Sequence, residues 1–265
     1  MGYTVKATPP RAMVSCVLAT RNRRRFLPQA LRCFLRQTYR DSELVVVDDS
    51  DRPAGDLCLG PSRVRYIRLT RPTATGRKLN LGIEAARGEI IQKLDDDDYY
   101  GPGFLATSVA HLPERGRSRS LVARCCFLIL MRGDPIVRHS GHGWSAGGSF
   151  CFHRALWERQ PFRNVARSED AWLIRDAAPR IVRVCDAEQY IVVRHGRNTW
   201  NDMSNGDTAD NYLAHRRPYD KPLRELMPAA DRRFYRSVLR WPRQPLGCPA
   251  NAASASSEMC QTPRP

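Results

Sequence analysis

The residues from Leu94 to Phe104 read LDDDDYYGPGF. Four adjacent carboxylates, Asp95 to Asp98, repel one another, so a fold that keeps them together needs a counter-charge. A divalent cation bridging them to a diphosphate meets that need, and oxygen donors suit Mg2+ or Mn2+. A second acidic pair, Asp48 and Asp49, follows the apolar run ELVVV. A third, Glu169 and Asp170, opens the segment SEDAWLIRDAA. A carboxylate within reach of an acceptor hydroxyl can take its proton as a general base. Each group also has a plainer role. Asp after a strand caps a turn, and acids in a helix's first turn complement its dipole.

These groups need elements to carry them. MVSCVLA (residues 13–19), ELVVV, VRYIRL and EIIQKL read as buried strands. Phe26, Leu27, Ala30, Leu31, Phe34 and Leu35 fall on one helical face after TRNRRR, with Pro28 in the first turn. TRPTATGRK reads as a loop and LNLGIEAARG as a helix capped by Gly88. A further helix is expected from about residue 102 to 112. Strands alternating with helices predict βαβ units and a largely parallel sheet. Both early acidic groups then sit at the C-terminal edge of that sheet, where open α/β sheets bind ligands. Farther on, SLVARCCFLILM reads as one long strand, HSGHGWSAGGSF as a glycine-rich loop, and SEDAWLIRDAA as a helix with Ser168 as N-cap. IVRVC and QYIVVRH complete the strands.

The sequence VSCVLATRNRRRFLPQALRCFLRQTYRDSELVVVDDS, then GRKLNLGIEAARGEIIQKLDDDDYYGPGFL, then SEDAWLIRD resembles the family 2 glycosyltransferases of the GT-A fold, over roughly residues 13–200. The matching motifs are Thr20, Arg21, Asn22 and Arg23 after the first strand, and Asp48, Asp49 and Ser50 after the second. Asn80, Gly82, Ala86 and Gly88 follow, and then a DxD motif within Asp95 to Asp98.

The resemblance implies a Rossmann-like nucleotide-binding half with a mostly parallel sheet (13–100) and a mixed acceptor-binding half (101–200). It also implies roles. The turn holding Thr20 and Asn22 would hold the nucleoside, with Asp49 facing the base. Arg77 or Lys78 would supply a cation to the base or diphosphate. Asp96 would lie near the ribose. Asp95 and Asp97 would hold Mn2+ or Mg2+, with His195 as a further ligand or diphosphate contact. Asp170 would be the base and Glu169 would orient it or the acceptor. Direct displacement would invert the anomeric centre. The implied enzyme is a nucleotide-sugar-dependent, hexosyltransferase-like enzyme of polysaccharide or glycoconjugate biosynthesis. Its donor would be a uridine, deoxythymidine or guanosine diphosphate sugar. Its acceptor would be a carbohydrate, lipid-linked or small-molecule hydroxyl. A nucleotidyltransferase would carry a glycine-rich loop after the first strand, and ATRNRRR has no glycine there. A non-catalytic basic binding protein on the same fold is the other alternative.

The chain has 265 residues and a net charge of +16. Such a charge suits a polyanionic partner, but no finger or aromatic-interleaved RNA motif accompanies it, so no nucleic acid is expected. The nine cysteines contain no CxxC spacing, so neither a zinc site nor a disulfide framework is expected. That usage suits a reducing compartment, and the N-terminus lacks a secretion signal, so a cytoplasmic protein is expected. Residues 1–12 read as an extension, 201–244 as a basic helical segment and 245–265 as a disordered tail. RRFYRSVLRWPR would either pack on the domain or rest on the inner face of an anionic membrane through Phe234, Tyr235, Leu239 and Trp241. Packing is the favoured placement. His139, His142 and Trp144 lie in the glycine-rich loop, where an aromatic face could shape an acceptor pocket.

Overall fold

The computed structural model describes residues 12–201 and 206–241. In chain order its elements are β1 (Val14–Thr20), α1 (Leu27–Leu35), β2 (Ser42–Asp48), β3 (Val64–Arg68), α2 (Thr75–Ala85), β4 (Ile90–Leu94), β5 (Tyr99–Tyr100) and α3 (Phe104–Ala110). Then follow β6 (Ser120–Arg124), β7 (Leu128–Met131), β8 (Asp134–His139), β9 (Cys151–His153), α4 (Arg154–Arg159), α5 (Glu169–Ala177), β10 (Arg180–Val184) and β11 (Tyr190–Arg194). The helices α6 (Ala209–Ala214), α7 (Leu223–Leu226) and α8 (Ala229–Leu239) complete it.

Seven strands form the main sheet, in the order β10-β6-β9-β4-β1-β2-β3. β3, β2, β1 and β4 run parallel, while β9 lies antiparallel between β4 and β6. Both faces are covered, which is why the central strands are mostly apolar, with Glu43 of β2 and Gln92 and Lys93 of β4 as buried exceptions. Within β1 the side chains alternate between the faces. Val14, Cys16 and Leu18 join the core holding α1 and α8, and Val17 joins the core under α2, α4 and α5. The second sheet, β5-β11-β7-β8, is mixed. It packs in the α1 core.

The glycines of α2 fit it to the sheet. A Cβ at Gly82 would meet Val17 Cγ1 at 2.5 Å and Val47 Cγ2 at 3.1 Å. Gly88 serves close approach and not the expected helix cap. α2 ends at Ala85, and a Gly88 Cβ would meet Met13 O at 2.6 Å and Ser15 N at 2.7 Å.

Several expectations are corrected. SLVARCCFLILM is two strands in different sheets, because the chain bends at Cys125 and leaves the main sheet. α2 begins at Thr75, so Arg77 and Lys78 lie on the helix and not in a loop. Ser168 precedes α5 with a φ of 58° and makes no side-chain cap. The cysteine reading fails at one place. A disulfide joins Cys125 and Cys185, whose Cα atoms are 5.3 Å apart. The parallel pairing of β6 with β10 sets their C-terminal ends side by side, a proximity that chain spacing does not reveal.

The C-terminal segment packs. Tyr235, Leu239 and Trp241 are buried and Phe234 lies against the same core. Asp231, fully buried, pairs with Arg32 of α1 and with Arg36 just beyond its end, and so fixes α8 to the first helix. The four residues named for membrane insertion are therefore committed to the domain. Among the described residues no helix is long and apolar enough to cross a membrane. Residues 1–11 of the expected extension and 245–265 of the expected tail lie outside the described residues.

Candidate active site

β1 and β4 are neighbours, so Thr20 and the acidic run arrive together at one edge of the sheet. The acidic run borders a cleft of about 1240 Å³ that Asp170 and His195 also line. The fold holds the four carboxylates by dividing their partners. Asp95 Oδ1 accepts from Lys93 Nζ at 2.6 Å. Asp96 Oδ2 accepts from Thr20 Oγ1 at 2.6 Å, and its Oδ1 accepts from Arg23 at 3.3 Å. Asp97 Oδ2 meets Arg23, His195 Nε2 at 3.0 Å and Asn198 Nδ2 at 3.2 Å. Asp98 points the other way. Its oxygens accept from Tyr190 OH at 2.8 Å and Val193 N at 2.9 Å, which pins the run to β11.

Electrostatics separate these groups further. Burial would raise the Asp97 pKa, but the His195 hydrogen bond and the Arg23 charge prevail and bring it to about 2. Asp96 is pushed up to about 7, by burial first and by the adjacent Asp97 charge. Asp98 is raised well above the usual carboxylate range, again by burial and then by Asp97 and Asp95. Burial also opposes the charge of Arg23, yet Asp97 and Asp96 hold its guanidinium still more firmly protonated than usual.

A second cluster joins the run to α5. Lys93 Nζ lies 3.5 Å from Glu169 Oε1 as well as beside Asp95. Burial disfavours this ammonium, but Asp95, Glu169 and Asp170 outweigh it and raise its pKa. Glu169 is itself raised, chiefly by burial, with Asp170 and Asp95 adding to it. Asp170, half-buried at the first turn of α5, accepts from Ala171 N at 2.8 Å. A Cβ at Gly147 would overlap its Oδ2, so only glycine lets the carboxylate lie against that loop.

The remaining predicted residues fall as follows. Both oxygens of Asp49 are engaged, one by Lys78 Nζ at 2.7 Å and one by Thr73 N at 2.7 Å. Lys78 also donates to Thr20 O at 3.1 Å. Arg77 points away, pairing with Glu84 at 3.5 Å on the outer face of α2, because adjacent helical positions face different directions. Asn22, at φ 55°, donates to Asp51 Oδ2 and accepts from Asp51 N, tying the β1 and β2 turns together. Asp97 and His195 are in direct contact, whereas Asp95, the third expected metal donor, is held by Lys93 in the same cleft. The His195 ring packs tilted against Phe26, with ring centroids 4.7 Å apart. Of the glycine-rich loop, Trp144 lines the cleft with Trp200, 5.9 Å between rings. His139 and His142 pair with each other, 5.4 Å between rings.

Arg23 and Lys93 are absent from the residues expected to act. Arg23 stands in the quoted turn among many arginines. Lys93 carries a legible signal, a lysine inside an otherwise buried strand, which must find an anionic partner.

The model of the glycosyl transferase family 2 matches residues 15–160. The chain belongs to this family. Two curated relatives agree. Glycosyltransferase GlyG of Streptococcus pneumoniae serotype 4 is 28% identical over 108 residues, 39% of this chain and 36% of that protein. The putative colanic acid biosynthesis glycosyl transferase WcaA of Escherichia coli K12 is 31% identical over 104 residues, 37% of each. The match thus spans little more than a third of either relative's length. Among solved structures, mannosyltransferase PcManGT from Pyrobaculum calidifontis, in complex with GDP-Man and Mn2+, superposes with a TM-score of 0.55 at 20% identity, covering 69% of this chain and 57% of that one. TarS of S. aureus with UDP-GlcNAc gives 0.54 at 19%, covering 69% and 58%. At such identities the likeness shows the fold, and the family 2 chain has the GT-A fold with its mostly parallel sheet.

Proposed function

We propose that this family 2 chain is a metal-dependent inverting glycosyltransferase, moving a sugar from a nucleoside-diphosphate donor to an acceptor hydroxyl. The carrying observation is one cleft that holds both Asp97 with His195 and, across Lys93, the Glu169–Asp170 pair. GDP-Man with Mn2+ in PcManGT and UDP-GlcNAc in TarS support a nucleotide-sugar donor and a divalent ion.

The residues fit such an ion. Asp97 Oδ2 and His195 Nε2 are 3.0 Å apart at the cleft wall, a carboxylate–imidazole donor set suited to Mn2+ or Mg2+. Asp97 and His195 would hold the ion, which would supply electrophilic stabilisation of the charge on the leaving diphosphate. Arg23, with its guanidinium at the same place, supplies N–H donors to a phosphate. Thr20 orients Asp96 toward the ribose, and Asp49 sets Lys78 beside the base.

Asp170 accepts the proton of the acceptor hydroxyl as that oxygen attacks the sugar C1. Its seat against Gly147 and its neighbour Lys93 fix where the carboxylate stands. Glu169, buried and bound to Lys93, orients the pair and does not take the proton. Trp144 and Trp200 offer flat apolar faces that suit stacking on an acceptor sugar ring. The test is transfer or slow hydrolysis of UDP-, GDP- and dTDP-sugars with Mn2+. Asp170→Asn should abolish transfer while leaving donor affinity within about threefold. An unchanged rate in that variant would sink the assignment of the base.

A further inference from the structure

Cys125, Cys126, His142 and Cys185 place three sulfurs and one ring nitrogen within 4.8 Å of one another. The four residues come from three places in the chain. Cys125 and Cys126 lie where the chain bends after β6. Cys185 follows β10, which runs parallel to β6. His142 sits between Gly141 at φ 78° and Gly143 at φ 97°, two left-handed positions that turn its ring toward the sulfurs. His142 Nδ1 is 3.9 Å from Cys125 Sγ.

The Cys125–Cys185 disulfide accounts for two of these four groups. It leaves the Cys126 thiol and the His142 ring converging on the same point. A tetrahedral ion with bonds of about 2.3 Å to sulfur and about 2.0 Å to nitrogen needs donors roughly 3.6–3.8 Å apart. The donor atoms lie within 4.8 Å of one another, and His142 Nδ1 at 3.9 Å from Cys125 Sγ is already close to that separation; reduction frees the two bonded sulfurs to move apart.

We propose that the reduced chain binds one thiophilic divalent cation of the zinc class through Cys125, Cys126, Cys185 and His142, as a structural site distinct from the transfer cleft. Its task is to anchor the glycine-rich loop. Trp144 N donates to Cys125 O at 3.0 Å and Ala146 N to Arg124 O at 3.2 Å, so the loop already hangs from the residues that carry the sulfurs. The same loop continues to Trp144, Gly147 and Gly148 in the cleft wall. Entry to the metal form needs a dithiol reductant. It delivers two electrons and two protons to the Cys125–Cys185 bond, giving two thiols, and itself becomes a cyclic disulfide. The incoming ion then displaces the three thiol protons to solvent.

The experiment uses the full chain, reduced with dithiothreitol and titrated with Co2+ under exclusion of air. The expected result is a sulfur-to-cobalt charge-transfer band with tetrahedral ligand-field bands, saturating at one ion per chain and bleached by equimolar Zn2+. Asp97 and His195 offer oxygen and nitrogen, so Co2+ held there gives no such band. Cys126→Ser and His142→Gln should each weaken the site about tenfold or more. His142 is exposed, so its variant folds whatever happens at Cys126. No thiolate band in the reduced protein would overturn the proposal. So would a band that survives unchanged in both variants, since the sulfurs would then lie elsewhere.

Discussion

Lys93 Nζ stands 3.5 Å from Glu169 Oε1, joining the strand that delivers the acidic run to the helix that delivers the proposed base. Both side chains are at least nine-tenths buried. The ammonium also holds Asp95, so one cation sets the distance between the two acidic groups of the cleft. Removing it leaves carboxylates buried without compensation. Lys93→Met is expected to lower the unfolding free energy by about 3 kcal/mol and the transfer rate by at least about tenfold. Urea unfolding and steady-state kinetics read the two effects. A variant as stable and active as the parent would show that the cation does not organise the site.

Asp96 gives a pH signature. Its carboxyl is raised to about 7, chiefly by burial, against about 3.9 in an unfolded chain. Between those values the folded state binds more protons than the unfolded state, so stability falls as pH rises through the window. Asp96→Asn removes that loss. The variant should match the parent near pH ~4 and exceed it by on the order of 4 kcal/mol above pH ~7, at about 1.4 kcal/mol per unit. Urea midpoints across the range test this, and a gap that stays constant with pH would refute it.

Arg23 and the proposed ion share partners, since the guanidinium contacts both Asp97 and His195 Nε2. Arg23→Ala should therefore lower the thermal midpoint without metal and enlarge the rise in midpoint that Mn2+ produces. Equal Mn2+ shifts in parent and variant would mean that the two cations do not compete.

Gly147→Ala tests the seat of the proposed base. The added methyl would displace the Asp170 carboxylate, and small displacements of a reacting group cost about 100-fold in rate. We expect kcat to fall by about that factor, with the KM for donor changed much less, because the proposed donor contacts lie elsewhere in the cleft. A KM effect alone would indicate that the loop serves donor binding.

Much of this was legible in the sequence because it follows from local periodicity. The apolar runs place β1, β2, β3 and β4, and strand ends deliver Thr20, Asp49 and Asp97 to one edge. His195 lies outside the quoted motifs, and its contact with Asp97, 98 positions away, is implied only through the metal the resemblance expects. What escaped depends on tertiary placement. SLVARCCFLILM is buried throughout and has no period-2 alternation, so periodicity cannot show where it leaves one sheet for another. Asp98 looks like its three neighbours, yet Tyr190 and the Val193 amide give it a structural task. Arg77 and Lys78 are chemically alike, and only the start of α2 at Thr75 turns one outward and the other to Asp49. Cys125 and Cys185 are 60 positions apart and meet only through the pairing of β6 with β10.

The most direct test of the central claim is calorimetric titration of UDP, GDP and dTDP into the protein, with and without Mn2+. One nucleotide should bind in the presence of Mn2+ and at least about tenfold more weakly in its absence. That metal-dependent binding should vanish in Asp97→Ala and persist in Asp170→Asn. Binding that ignores both the metal and Asp97, or no binding of any nucleotide, would contradict the assignment of the acidic run to a metal–diphosphate site.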